Sequence, residues 1–193
     1  MIKKIKVKED YQIDESVARR YTPIKDIKAI IYLTKMCDGN ILEIGCNEGV
    51  TTNELCKFNP NKKIYAVDYI DSTNTMSQEQ RKETPQKIGH LIHKNCNVKI
   101  INKSSQELDF FELEDVGFIF IDGDHSFEAV KKDTEKSIEY IFKRGKGIIC
   151  WHDYRIKPIW CGVKRLLDRL SMRMPIKHFD GTLVAYTQVS KLL

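Results

Sequence analysis

From residue 23 to about residue 172, short apolar runs alternate with stretches whose apolar residues recur at helical spacing, and few folds accept that alternation. A parallel strand buried on both faces reads as an unbroken apolar run, and consecutive parallel strands need a crossover, usually a helix, that covers the sheet. The expected strands are residues 40–45, 63–68 (KIYAVD), 98–101, 116–122 and 147–151 (GIICW). Thr22 and Pro23 fit the N-cap and first position of a helix reaching about Met36, with Ile24, Ile27 and Ile31 on one face. Further helices are expected over 49–58, from Thr84 and Pro85 through Ile88, Leu91 and Ile92, over 127–142 (Phe127, Val130, Thr134, Ile138, Ile141), and around Val163, Leu166, Leu167 and Leu170. Residues 69–83 carry no period and are expected to form a loop, with at most one helical turn at Ser77. Runs at 176–179 and 182–189 flank Asp180 and Gly181, an Asp-Gly signal for a closing antiparallel hairpin. The fold expected is therefore a doubly wound α/β sheet with a C-terminal hairpin.

The 193 residues suit one domain, with 1–22 as an N-terminal extension and 23–193 as its core. Hydrophobic residues at 41% and charged residues at 31% describe a globular chain, and no apolar run approaches the roughly 18 residues that span a bilayer. The basic N-terminus lacks the apolar stretch of a secretory signal, and the six cysteines contain no C-x-x-C pair, so a cytoplasmic location with reduced thiols is expected. The net charge of +5 is spread over helix faces and tails without RNP-type aromatic motifs, which leaves nucleic acid the minority partner.

Residues 41–49 read ILEIGCNEG: an apolar strand, a Gly-rich turn, then a helix. Gly45 permits the turn and close backbone approach, Gly49 lets the helix begin near a ligand, and Glu43 offers a carboxylate to an ammonium group. A dinucleotide loop of the G-x-G-x-x-G kind would need glycines where Asn47 and Val50 stand, which argues against NAD. Asp68 ends the next strand, where an acidic side chain can accept hydrogen bonds from ribose hydroxyls. The strand at 116–122 runs into DGDHSFE, and the strand at 147–151 runs into His152 and Asp153. Asp122, Asp124, His152 and Asp153 thus converge on the rim where open α/β sheets bind ligands, with donors suited to a divalent cation.

The 41–49 stretch resembles the E-x-G-x-x-x-G first motif of class I S-adenosylmethionine-dependent methyltransferases. Residues 118–133 (FIFIDGDHSFEAVKKD) and 147–154 (GIICWHDY) are similar to a subgroup of small members, many of them O-methyltransferases. The resemblance covers about residues 23–172 and implies a Rossmann-like, seven-stranded sheet with one antiparallel strand. It implies that S-adenosylmethionine binds across Glu43, Gly45, Cys46, Asn47, Gly49, Asp68, Tyr69 and Asp122, with Ser104 or Ser105 near the adenine. It further implies a divalent ion (Mg, Mn or Zn) on Asp122, His152 and Asp153. His152 departs from the usual acidic residue there, and imidazole favours Zn, Mn or Fe over Mg. A base must stand beside the acceptor hydroxyl, and Asp124 and His125 are the two candidates. The leading expectation is O-methylation of a small molecule, without a membrane and with a homodimer left open. RNA or protein methylation, and an inactive cofactor-binding partner subunit, are the alternatives.

Overall fold

The computed structural model describes residues 2–6, 11–13, 22–70, 87–155 and 161–190. Five parallel strands form the middle and one side of the sheet: β2 (Asn40–Ile44), β3 (Ile64–Asp68), β4 (Val98–Asn102), β5 (Val116–Ile121) and β6 (Lys146–Trp151). With β1 (Lys3–Ile5), β7 (Lys177–Phe179) and β8 (Ala185–Ser190), the order across the sheet is β1-β7-β8-β6-β5-β2-β3-β4. β8 runs antiparallel to both neighbours, β6 and β7.

Alternate residues of each strand face opposite sides, so each apolar strand serves two cores. On one side Leu42, Ile44, Ile119, Ile121, Ile149 and Trp151 pack with Val130 and Ile141 of α3 (Phe127–Arg144) and Leu166 and Leu167 of α4 (Val163–Leu170). On the other, Ile41, Phe118, Phe120 and Ile148 pack with Ala29, Ile30 and Leu33 of α1 (Ile24–Lys35) and Leu55 of α2 (Val50–Phe58). All six residues of β5 are buried, as a central strand covered on both faces requires. Among the described residues, no helix is long and apolar enough to cross a membrane.

Several details differ from the sequence reading. The sheet has eight strands, because Lys3–Ile5 of the N-terminal extension pairs in parallel with β7 at the edge. Pro23 itself is the N-cap of α1: its extended ψ of 144° places it outside the helix while its carbonyl accepts from Asp26 and Ile27. The helix expected through Ile88, Leu91 and Ile92 is absent over residues 87–97, which form turns, while Thr84 and Pro85 lie outside the described residues. Gly89 has φ +62°, and the N–H groups of Gly89 and Leu91 go to the carbonyls of Asn47 and Glu48 instead of to a helix. Most of the expected 69–83 loop, with Ser77, also lies outside the described residues.

Candidate functional site

The carboxyl ends of β2 and β3 lie side by side, with Ile44 opposite Val67, and the chain leaving β2 turns sharply at Gly45. Gly45 has φ +91°, and a Cβ there would lie 2.2 Å from the carbonyl oxygen of Asp122. Its side-chain hydrogen is therefore required by the backbone of the neighbouring strand end. Asn47 follows at φ +46° and donates its N–H to Asp68 Oδ2 at 2.6 Å, while the N–H of Tyr69 goes to Asp68 Oδ1 at 2.8 Å. Each Asp68 oxygen keeps a lone pair beyond those two bonds. Gly49, at φ +94°, is the N-cap of α2, and a Cβ there would strike Ile92 of the turns that fold over this loop.

Glu43, one residue before the end of β2, is 1% exposed. Its Oε2 accepts from Thr52 Oγ1 at 2.6 Å, and its Oε1 has no hydrogen-bond partner among the described residues. Burial raises its pKa to about 8, against the lowering effect of Thr52 and with help from Asp122 and Asp68. An unpartnered buried carboxylate oxygen is costly, and a cationic ligand would remove that cost. Burial likewise pushes up the carboxyl of Asp68, against its two backbone hydrogen bonds, and the buried Cys46 thiol.

Beyond β4, Ser104 Oγ accepts from the N–H of Gln106, whereas Ser105 donates to Asp133 Oδ1 on α3 at 2.6 Å. Ser105 therefore ties its loop to a helix, together with Lys136, whose Nζ donates to the carbonyls of Ser105, Gln106 and Leu108. Tyr69 is 43% exposed beside Asp68.

The ends of β5 and β6 bring Asp122, His125, His152 and Asp153 into one cluster. His125 Nε2 lies 2.7 Å from Asp153 Oδ2 and 3.4 Å from Asp122 Oδ1. His152 Nδ1 lies 3.3 Å from Asp122 Oδ1 and 3.3 Å from Asp153 Oδ1. Burial opposes protonation of His125, and the two carboxylates outweigh it, raising its pKa to about 10. His152 is pushed up in the same way, and the two imidazoles overcome burial to hold Asp153 well below the usual carboxylate range. Asp153 sits at φ +59°, a left-handed conformation that a non-glycine residue rarely adopts. Donor atoms of Asp122, His152 and Asp153 all lie within 4.8 Å of one another, one nitrogen and two carboxylate oxygens, a set that fits a divalent cation. Asp124 stands apart on the exposed side, with Oδ1 accepting from the N–H of Ser126.

One member of the cluster has no place in the sequence reading. Asp26, in the first turn of α1, is 1% exposed with Oδ2 3.0 Å from His152 Nε2. Its signal was a charged residue on the apolar face of a helix, in line with the buried Ala29, Ile30 and Leu33.

A family model described as a methyltransferase domain matches residues 42–154, more than half of the chain. No curated protein matches the chain. Among solved structures, the calicheamicin methyltransferase CalS11 has a TM-score of 0.62 at 15% identity, covering 84% of this chain and 76% of its own. The Podospora anserina methyltransferase PaMTH1, bound to SAH, has a TM-score of 0.58 at 17% identity, covering 95% and 91%. MycE from the mycinamycin pathway, in complex with Mg and SAH, has a TM-score of 0.54 at 15% identity, covering 91% of this chain and 54% of that one. At these identities the structural likeness establishes the fold.

Proposed function

The chain belongs to the methyltransferase-domain family, and from that premise we propose that it binds S-adenosylmethionine at the ends of β2 and β3 and methylates a hydroxyl of a small molecule. The observation that carries this reading is the buried Oε1 of Glu43, which has no partner among the described residues and lies beside the Gly45 turn. An α-ammonium group would supply the missing donor and the opposite charge. S-adenosylmethionine, when bound, supplies a methyl group on a sulfonium, open to attack by an oxygen in line with the breaking bond. Asp68, with a lone pair left on each oxygen beyond its bonds from Asn47 and Tyr69, would accept from the ribose hydroxyls. CalS11, described also as a TDP-rhamnose 3'-O-methyltransferase, and PaMTH1, bound to SAH, support this chemistry.

Asp122, His152 and Asp153 are the residues that would hold a divalent ion. Such an ion would lower the pKa of an acceptor hydroxyl beside it. The MycE complex with Mg supports that part of the reading. Of the two candidate bases, His125 is turned inward, with Nε2 2.7 Å from Asp153 Oδ2 and 3.4 Å from Asp122 Oδ1, the carboxylates that would hold the ion. Asp124, exposed at the rim and free of that network apart from its bond to Ser126, is the base we assign.

Calorimetry with S-adenosylhomocysteine tests the reading. Micromolar binding is expected with no comparable affinity for NAD, and Asp68→Ala should weaken binding by about 1–3 kcal/mol through lost charge-assisted hydrogen bonds. Tight NAD binding with no response to S-adenosylhomocysteine overturns it.

A further inference from the structure

Asp26 holds one end of His152, and what it does there depends on where the protons lie. Its Oδ2 is 3.0 Å from His152 Nε2, and both of its oxygens lie 3.3 Å from the backbone N–H of Leu183, between β7 and β8. An ionised carboxylate only accepts, so this bond requires the proton on Nε2. The imidazole is 5% exposed and packs edge-on against Phe120, with ring centroids 6.3 Å apart. With Nε2 tied to Asp26, Nδ1 faces the gap between Asp122 and Asp153, 3.3 Å from an oxygen of each. Both ring nitrogens therefore meet acceptor-only groups. Without a metal, a proton on Nδ1 meets those two carboxylates; a metal ion that displaced this proton would bind the nitrogen lone pair and both carboxylates together.

We propose that Asp26 is a positioning residue for a divalent-cation site: by holding the Nε2–H of His152 it presents Nδ1, with Asp122 and Asp153, to a first-row transition ion such as Mn²⁺, Co²⁺ or Zn²⁺ in preference to Mg²⁺. The proposal rests on the metal reading given above and adds the group that orients the nitrogen ligand, on which the preference of that ligand for a transition ion depends. A ligating histidine commonly donates its second N–H to a carboxylate, which fixes the ring and makes the ligand more basic. Magnesium favours oxygen donors and water, so an obligatory imidazole in the set works against it.

The test titrates the metal-free 193-residue chain with Co²⁺, read by its visible absorption, and with Mn²⁺, Zn²⁺ and Mg²⁺ by calorimetry. S-adenosylhomocysteine affinity is measured in parallel as a readout of the far half of the site. The wild type should bind Co²⁺ and Zn²⁺ more tightly than Mg²⁺. Asp26→Asn keeps the volume but leaves one amide oxygen to serve both Leu183 and His152, and should weaken Co²⁺ binding by about tenfold; Asp26→Leu should approach 100-fold. Both should leave S-adenosylhomocysteine affinity within about twofold, because the side-chain bonds of Asp26 go to His152 and Leu183 and not to Glu43 or Asp68. If Asp26→Leu fails to fold, Asp26→Asn carries the comparison. Wild-type Co²⁺ affinity in the Asp26 variants overturns the role of Asp26 alone, and equal affinity for Mg²⁺ and Co²⁺ overturns the selectivity. Parallel loss of Co²⁺ and S-adenosylhomocysteine binding assigns Asp26 a general structural role and overturns the proposal. A wild type that binds none of the four ions overturns it together with the metal reading.

Discussion

Glu43 gives the sharpest test of where a cofactor would sit, because its burial fixes a proton that an ammonium group must displace. With a pKa raised to about 8, the carboxyl is about nine-tenths protonated at pH 7 in the free protein. A ligand whose α-amino group titrates near 7.7–8.0 arrives at that pH mostly as the cation. Pairing the two charges at Oε1 then requires Glu43 to lose its proton, so about 0.8 proton should be released net per ligand bound at pH 7, after the small uptake by the ligand's amine. Below pH 7 the affinity should fall about tenfold per pH unit. Calorimetry of S-adenosylhomocysteine in phosphate and in Tris, whose ionisation enthalpies differ, measures the released proton directly. Glu43→Gln cannot titrate, so it should bind more weakly at pH 7, with nearly the same enthalpy in both buffers at pH 6 and a nearly flat affinity from pH 6 to 7. Wild-type protein that shows equal enthalpies in the two buffers and no change in affinity over that range would refute the assignment of Glu43 to the ammonium.

The same proton ties Glu43 to stability in the absence of ligand. Its folded-state pKa of about 8 lies above the ordinary 4.5, so the folded state holds the proton more tightly. The stabilisation is present in full below pH 4.5 and is lost as pH rises through about 8, a change on the order of 5 kcal/mol from the difference between the two values. Denaturant melts of wild type and Glu43→Gln should therefore diverge in slope between pH 5 and pH 8.

Asp124→Asn keeps the shape of the rim but removes the proton acceptor, so turnover on an acceptor found by screening phenols, catechols and sugars should fall by about 10²–10⁴-fold while S-adenosylhomocysteine affinity holds. Full turnover in Asp124→Asn with an inactive His125→Gln would transfer the base to His125. Gly45→Ala should destabilise the fold by about 3 kcal/mol in denaturant melts, since its Cβ would meet the Asp122 carbonyl at 2.2 Å and φ is +91°; a loss under about 0.5 kcal/mol would show that the two strand ends separate easily.

What the sequence made legible follows from how local each constraint is. Gly45 and Gly49 could be read because a positive φ at a turn and at a helix start selects glycine at the residue itself. Asp122, His152 and Asp153 could be placed on one rim because parallel register sets neighbouring strand ends level, Ile121 beside Trp151. The failures come where a partner distant in sequence decides. Ile88, Leu91 and Ile92 carry a helical spacing, yet the carbonyls of Asn47 and Glu48 capture the N–H groups that a helix would have used. Lys3–Ile5 has too few residues to show an alternation, and its place at the edge depends on β7, over 170 positions away. The bond from Ser105 to Asp133 on α3, 28 positions away, is likewise invisible in the sequence around either residue. Asp26 is the extreme case: its 126-residue separation from His152 hides the pairing, and only its position on an otherwise apolar helix face betrays that something polar must wait beneath it. A buried carboxylate on an apolar face costs several kcal/mol unless it is paired and hydrogen-bonded. Such a residue in a sequence is therefore a question about its partner, and here the partner is an imidazole whose other nitrogen faces the rim.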